Sequence, residues 1–184
     1  SYVAQGSDVT IHGNLTVGGI GTLILCQGAK LTVEGALICS GSYSIYGQSD
    51  SGANAGRLVV KNSLDDGAAI RTGSTSTPQL NIYSGEVTIN AGNSGKLVEG
   101  VELYSTSKIH AATLAAKKVL PAEWRGVSSI KGTSLVLTYC EHSVNDQQQY
   151  IADADGTDGG HMHHLYCTAC GFTWPSEAYG LVPL

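Results

Sequence analysis

The chain has 184 residues, a net charge of −5 and 14% charged side chains, where an average protein carries about 25%. Its ten basic residues are scattered, which excludes a cationic footprint for nucleic acid or an anionic membrane, and no apolar run approaches the ~18 residues of a membrane span. Glycine is enriched at 24 residues, and with abundant Ser and Thr this composition fits an extracellular β-rich protein better than a cytosolic enzyme.

From Asp8 to Gly47 one phrase recurs: DVTIHG, NLTVGG, TLILCQG, KLTVEG, ALICSG, YSIYG. Its apolar pairs are Val9/Ile11, Leu15/Val17, Leu23/Leu25 and Leu31/Val33, with a looser pair at Leu37/Ile38. Partners two apart lie on one face of a strand. The residues between pairs are Gly, Asn, Gln, Ala and Lys, with no Asn-Gly or Asp-Gly hairpin signal, so the turns read as corners. Short strands joined by corners predict a coil of parallel β-arms, with roughly 20 residues per three-armed turn. An antiparallel sandwich of short strands is the competing architecture. The chain opens in mid-phrase at Ser1 without a signal peptide, as expected of a mature or excised fragment.

Cys26 and Cys39 sit inside strand phrases and read as buried free thiols, with a mutual bridge as the alternative. His12 reads as an outward polar position. Residues 48–56 form a loop, after which the phrases resume as RLVVKNS, AAIRTG, QLNIYSG and EVTINAG, interrupted by a second loop at Ser74–Pro78. The combination SYSIYGQSDSGANAGRLVV, DDGAAIRTG and QLNIYSGEVTINAG resembles the right-handed β-helix repeats of secreted and cell-surface proteins of gut Firmicutes. The likeness spans roughly Asp8 to Leu103. It implies a right-handed parallel β-helix, and its motifs encode coil geometry rather than chemistry.

Ala111–Val119 (AATLAAKKV) is rich in helix formers and is followed by Pro121, which predicts a short helix. A solenoid end exposes unpaired strand edges, and this helix is suited to cover one. Residues 126–139 read as one more β segment. The expected division is a solenoid over 1–110, a cap over 111–139 and a metal-binding module over 140–184: an all-β chain with one short helix.

Three of the five cysteines and four of the six histidines lie between Cys140 and Cys170. Cys140-Glu141-His142 is followed by His161, His163, His164 and then Cys167-Thr168-Ala169-Cys170-Gly171. C-x-H with C-x-x-C-G supplies the thiolate and imidazole donors of a closed tetrahedral zinc site. The expected ligands are Cys140, His142, Cys167 and Cys170, with His163 as the alternative to His142. A Cys167–Cys170 disulfide beside surface histidines is the competing reading, although no thioredoxin-like pattern surrounds it. Between Cys140 and Leu165 only Val144 and Ile151 are branched aliphatics, too few to order the segment without a metal. The segment resembles CxH…HxxxCxxCG modules attached to Firmicutes surface proteins, from which the added His161 and His164 depart. Asp153–Asp158 lacks the spacing of a calcium loop and reads as a polar hairpin tip. Tyr166, Phe172, Trp174 and Tyr179 read as the module's small core, with a sugar-stacking platform as the alternative.

The expected function is a non-catalytic extracellular or cell-surface module, a spacer, adhesin or binding domain with a structural Zn(2+). It would form part of a larger multidomain surface protein, with a glycan or a host surface as partner and no membrane insertion. The alternative is a carbohydrate-binding or carbohydrate-active β-helix of the polysaccharide lyase or glycoside hydrolase kind. Catalysis would need convergent acids, and the only adjacent acidic pair is Asp65-Asp66, flanked by Arg57 and Arg71. Glycan binding would be favoured by aromatic residues in line on one face, for which Tyr43, Tyr46, Tyr83 and Tyr104 are the candidates.

Overall fold

A computed structural model of the chain describes residues 1–48, 54–105, 109–111, 129–139, 144–152 and 158–167, and of 109–111, 139, 144–152 and 158–167 the backbone alone. The strands follow the apolar phrases. β1 (Tyr2–Val3), β2 (Asp8–Ile11) and β3 (Leu15–Val17) come first, then β4 (Gly21–Leu25), β5 (Lys30–Val33) and β6 (Leu37–Cys39). Next are β7 (Tyr43–Gly47), β8 (Arg57–Val60), β9 (Ile70–Thr72), β10 (Gln79–Ile82), β11 (Glu86–Asn90) and β12 (Lys96–Glu99). The remainder are β13 (Glu102–Ser105), β14 (Ile109–Ala111), β15 (Ser129–Lys131), β16 (Ser134–Tyr139), β17 (Val144–Ala152) and β18 (Asp158–Cys167).

Every third strand is a neighbour. Sheet one runs β1-β4-β7-β10-β13, sheet two contains β2-β5-β8-β11 and sheet three β3-β6-β9-β12, all paired in parallel. Val9 pairs with Leu31, Leu15 with Leu37 and Leu23 with Ile45, an offset of 22 residues each time. Like therefore stacks on like. Leu31, Leu58, Val87 and Leu137 form one row, Val33, Val60, Ile89 and Leu135 a second, and Leu37, Ile70, Val98 and Ile130 a third. All twelve are buried and belong to one core shared by the three sheets. Burying each such side chain contributes about 1.5–3 kcal/mol, which offsets the backbone ordering entropy of about 1–2 kcal/mol per residue. The antiparallel sandwich is thereby set aside for this part of the chain.

Several expectations change in detail. Leu37 shares the inward face of its strand with Cys39, not Ile38: Leu37 and Cys39 are buried while Ile38 is half-buried on the other face. Cys39 occupies a strand position as a small hydrophobe, and burial pushes its thiol up to about 12. Both Cys39 and Cys26 are free thiols, so the bridge between them is absent. In the first three strands Leu15 and Ile11 are only half-buried and Val9 is exposed. These strands end their sheets, so among the described residues no further row covers their outer side.

At the far end the polarity reverses. β16 pairs antiparallel with β11 and β15 antiparallel with β12, while β14 adds antiparallel to β16. Residues 126–139, read as one segment, thus hold two strands separated at Gly132, whose φ of +148° lies outside ordinary L-residue territory. Leu135, Leu137 and Ile130 close the core there. Ala111, the first residue of the predicted helix, instead ends β14, and residues 112–119 lie outside the described set. β17 and β18 pair with each other as a separate two-stranded antiparallel hairpin.

Candidate functional site

The acidic pair resolves into a corner clip. Arg71 Nη1 donates to Asp65 Oδ1 at 2.8 Å and Nη2 to Oδ2 at 2.6 Å, while the Gly67 N–H also donates to Oδ1 at 2.8 Å. The side-chain hydrogen bond from Arg71, then that from the Gly67 amide, hold the Asp65 carboxyl down to about 2. Both oxygens are engaged and the group stays ionised, the reverse of what a general acid requires. Asp66 is exposed, and Arg57 lies 3.3 Å from Glu86 across the strand pair.

Asn62 anchors the same corner, and it was not singled out by sequence. It is buried and holds φ +49°, the one non-glycine residue with positive φ among those described. Its Nδ2 donates to the carbonyls of Gly67 at 2.7 Å and Ala91 at 2.9 Å, tying the β8–β9 connection to the turn after β11. Gly92 lies in that turn; a Cβ there would collide with the Asn62 carbonyl. Asparagine tolerates the left-handed region and supplies the donors a glycine would lack.

A cleft of about 510 Å³ opens at the β1–β3 end, lined by Val3, Ile11, Leu15, Val17, Leu31 and Tyr43 among others. Its lining includes no acidic, basic, histidine or cysteine side chain. It is the open end of the core.

The four candidate tyrosines divide. Tyr43 takes the place of an inward row with Gly21, Leu80 and Leu103, and packs against the core. Gly21 makes room for it, since a Cβ there would strike the Tyr43 ring. Tyr46, Tyr83 and Tyr104 occupy the opposite, outer parity of sheet one. Tyr46 and Tyr83 stack with ring centroids 4.7 Å apart and planes 12° from parallel. In the same row Tyr2 pairs with Ile24 and Ile24 with Tyr46. Sequence reasoning missed Tyr2 and Ile24; the 22-residue offset running 2, 24, 46 is the signal that finds them. The adjoining outer row is Thr22, Ser44, Asn81 and Tyr104. The Tyr104 hydroxyl donates to Glu102 Oε2 at 2.9 Å, which raises its phenol above the ordinary range. His12, expected to face outward, is exposed and sets its Nδ1 2.9 Å from Glu34 Oε2.

Of the metal candidates, Cys140, His142 and Cys170 lie outside the described residues, as do Phe172, Trp174 and Tyr179. Cys167 is the last residue of β18 and pairs with Val144, the first residue of β17. His163 and His161, opposite Gln148 and Tyr150, share the strand face of Cys167, whereas His164 takes the other. The Asp153–Asp158 stretch joins the two hairpin strands, with residues 153–157 outside the described set.

No family model, curated protein or solved structure matches the chain.

Proposed function

We propose that this chain is a non-catalytic extracellular or cell-surface module, a right-handed parallel β-helix carrying a C-terminal segment held by structural zinc. The observation that carries the coil is the every-third-strand parallel pairing around one shared core. Parallel strands joined by crossovers wind right-handed in about 98% of cases, which supplies the hand. The non-catalytic reading draws support from the Asp65–Arg71 clip, which occupies both oxygens of Asp65 and leaves the exposed Asp66 as the pair's other acid, and from a cleft whose lining carries no acidic, basic, histidine or cysteine side chain.

The zinc reading draws support from the hairpin register. His142 is two residues from Val144, so chain geometry keeps its Cα within about 7 Å of the residue opposite Cys167. In the chain Cys140 lies four residues before Val144 and Cys170 three residues after Cys167. His163, by contrast, is four residues along one strand from Cys167, about 13 Å away. That separation exceeds what a thiolate and an imidazole on one zinc span, with metal bonds near 2.0–2.3 Å. The preferred set is therefore Cys140, His142, Cys167 and Cys170. Elemental analysis of the purified chain should find one zinc per molecule, lost in His142→Ala and kept in His163→Ala. A metal-free protein with a Cys167–Cys170 disulfide would refute the assignment.

A further inference from the structure

The outer faces of sheets one and two differ in charge. Sheet two presents the row Asp8, Lys30, Arg57, Glu86, charged at every position, with two bases in the middle and an acid at each end. The two central outer rows of sheet one carry no charge: Tyr2, Ile24, Tyr46 and Tyr83 in one, Thr22, Ser44, Asn81 and Tyr104 in the other. Four of the seven exposed large apolar residues among those described fall in the first of these rows. Tyr2 is 73% exposed, Tyr46 41% and Tyr83 37%. Flat sandwiched rings would meet at about 3.5 Å. A centroid distance of 4.7 Å at 12° means the two rings slip like shingles, each leaving part of its face outward.

We propose that this face binds an uncharged polysaccharide, lying across the strands along the aromatic row. Sugar rings present C–H faces that pack on aromatic rings and hydroxyls that pair with short polar side chains. Here the two surfaces run side by side, repeated at the strand spacing of about 4.8 Å. The hydroxyls of Thr22 and Ser44 and the amide of Asn81 supply donors and acceptors in register with Ile24, Tyr46 and Tyr83. Glu102 stands at the β13 edge, so an anionic glycan meets a like charge, and neither row carries a Lys or Arg side chain. A second copy of the chain is a poor occupant, because the stripe exposes only about 400 Å², half of the about 800 Å² per partner in a stable interface.

The inference rests on the non-catalytic reading, since it expects binding without cleavage. The test is affinity electrophoresis of the intact chain in gels cast with xylan, glucomannan or mixed-linkage β-glucan, and with polygalacturonate or heparin as anionic controls. At least one neutral gel should retard the protein. Tyr83→Ala should weaken that retardation at least about tenfold, the loss expected for truncating an aromatic anchor. Ser44→Arg leaves the ring stack and core in place and should block the face equally, so the test stands even where the tyrosine truncation loosens β10. Retardation by anionic gels alone, by no gel, or undiminished in Ser44→Arg would overturn the proposal. Release of reducing ends from a bound polysaccharide would overturn the non-catalytic reading and leave the binding face standing.

Discussion

The parallel sheets and the β17–β18 hairpin are built from the same backbone geometry and are held by different means. Within the sheets each strand pairs on one or both sides and adds residues to a common core; Leu25, Val33, Val60 and Ile89 are wholly enclosed. The hairpin pairs only with itself among the described residues. Its strands carry Gln147, Gln148 and Gln149 opposite His164, His163 and Met162. An isolated two-stranded hairpin is marginal in water. Repetition lets each row of the sheets use the row below as its template, whereas the hairpin requires some other anchor. A zinc ion at its open end would supply one.

The largest expected effect is on the sheets. Leu25→Asp places an unpaired charge where the native side chain is wholly buried. It should cost at least about 4–5 kcal/mol and remove the cooperative unfolding transition, read by circular dichroism and thermal melting. A variant that melts like the parent would break the account of the core.

Chelation comes next and should separate the two regions. Structural zinc contributes on the order of 10–16 kcal/mol in small peptides, yet none of the sheet rows depends on it. A chelator, or Cys167→Ser, should expose the hairpin amides to hydrogen exchange while those of β5, β8 and β11 stay protected. Acidification should also release the metal, because the thiolates must remain deprotonated to bind it. Uniform loss of protection across both regions would mean that they fold as one unit.

Within the sheets, Asn62→Ala strands the Gly67 and Ala91 carbonyls and forces alanine to φ +49°. A loss of about 2–4 kcal/mol is expected. Asn62→Gly should recover about 1–2 kcal/mol of it, the left-handed part alone. Equal melting temperatures for the two variants would show that the backbone conformation carries no cost there.

The smallest effect concerns the corner clip. The folded Asp65 carboxyl sits at about 2, below its unfolded value of about 3.9. Its stabilisation is therefore complete above about pH 4 and fades as pH falls toward 2. With 35% of the side chain exposed, solvent screening keeps the contribution under about 1 kcal/mol. Asp65→Asn should flatten the pH dependence of stability in that window and leave the neutral-pH fold intact.

Most strand positions were legible in the sequence by itself, and parallel stacking was favoured over an antiparallel sandwich; the turn length was not legible, since the offset between stacked strands runs from 22 to 37 residues against the roughly 20 expected. Apolar pairs two apart and glycine-marked corners are local signals, and each repeats often enough to be read without the rest of the chain. The sequence also determined the residue types able to hold a metal, since thiol and imidazole spacing is a property of the chain alone. The tertiary structure decided which outer rows align. That Tyr2, Ile24 and Tyr46 form one stripe while Tyr43 turns onto the core depends on strand register and on the space left by Gly21. It also decided that Asp65 is tied to Arg71 six residues on, and that Asn62 bridges to a turn 29 residues away. Contacts of that kind depend on how one row sits on the next, which no window of the sequence contains.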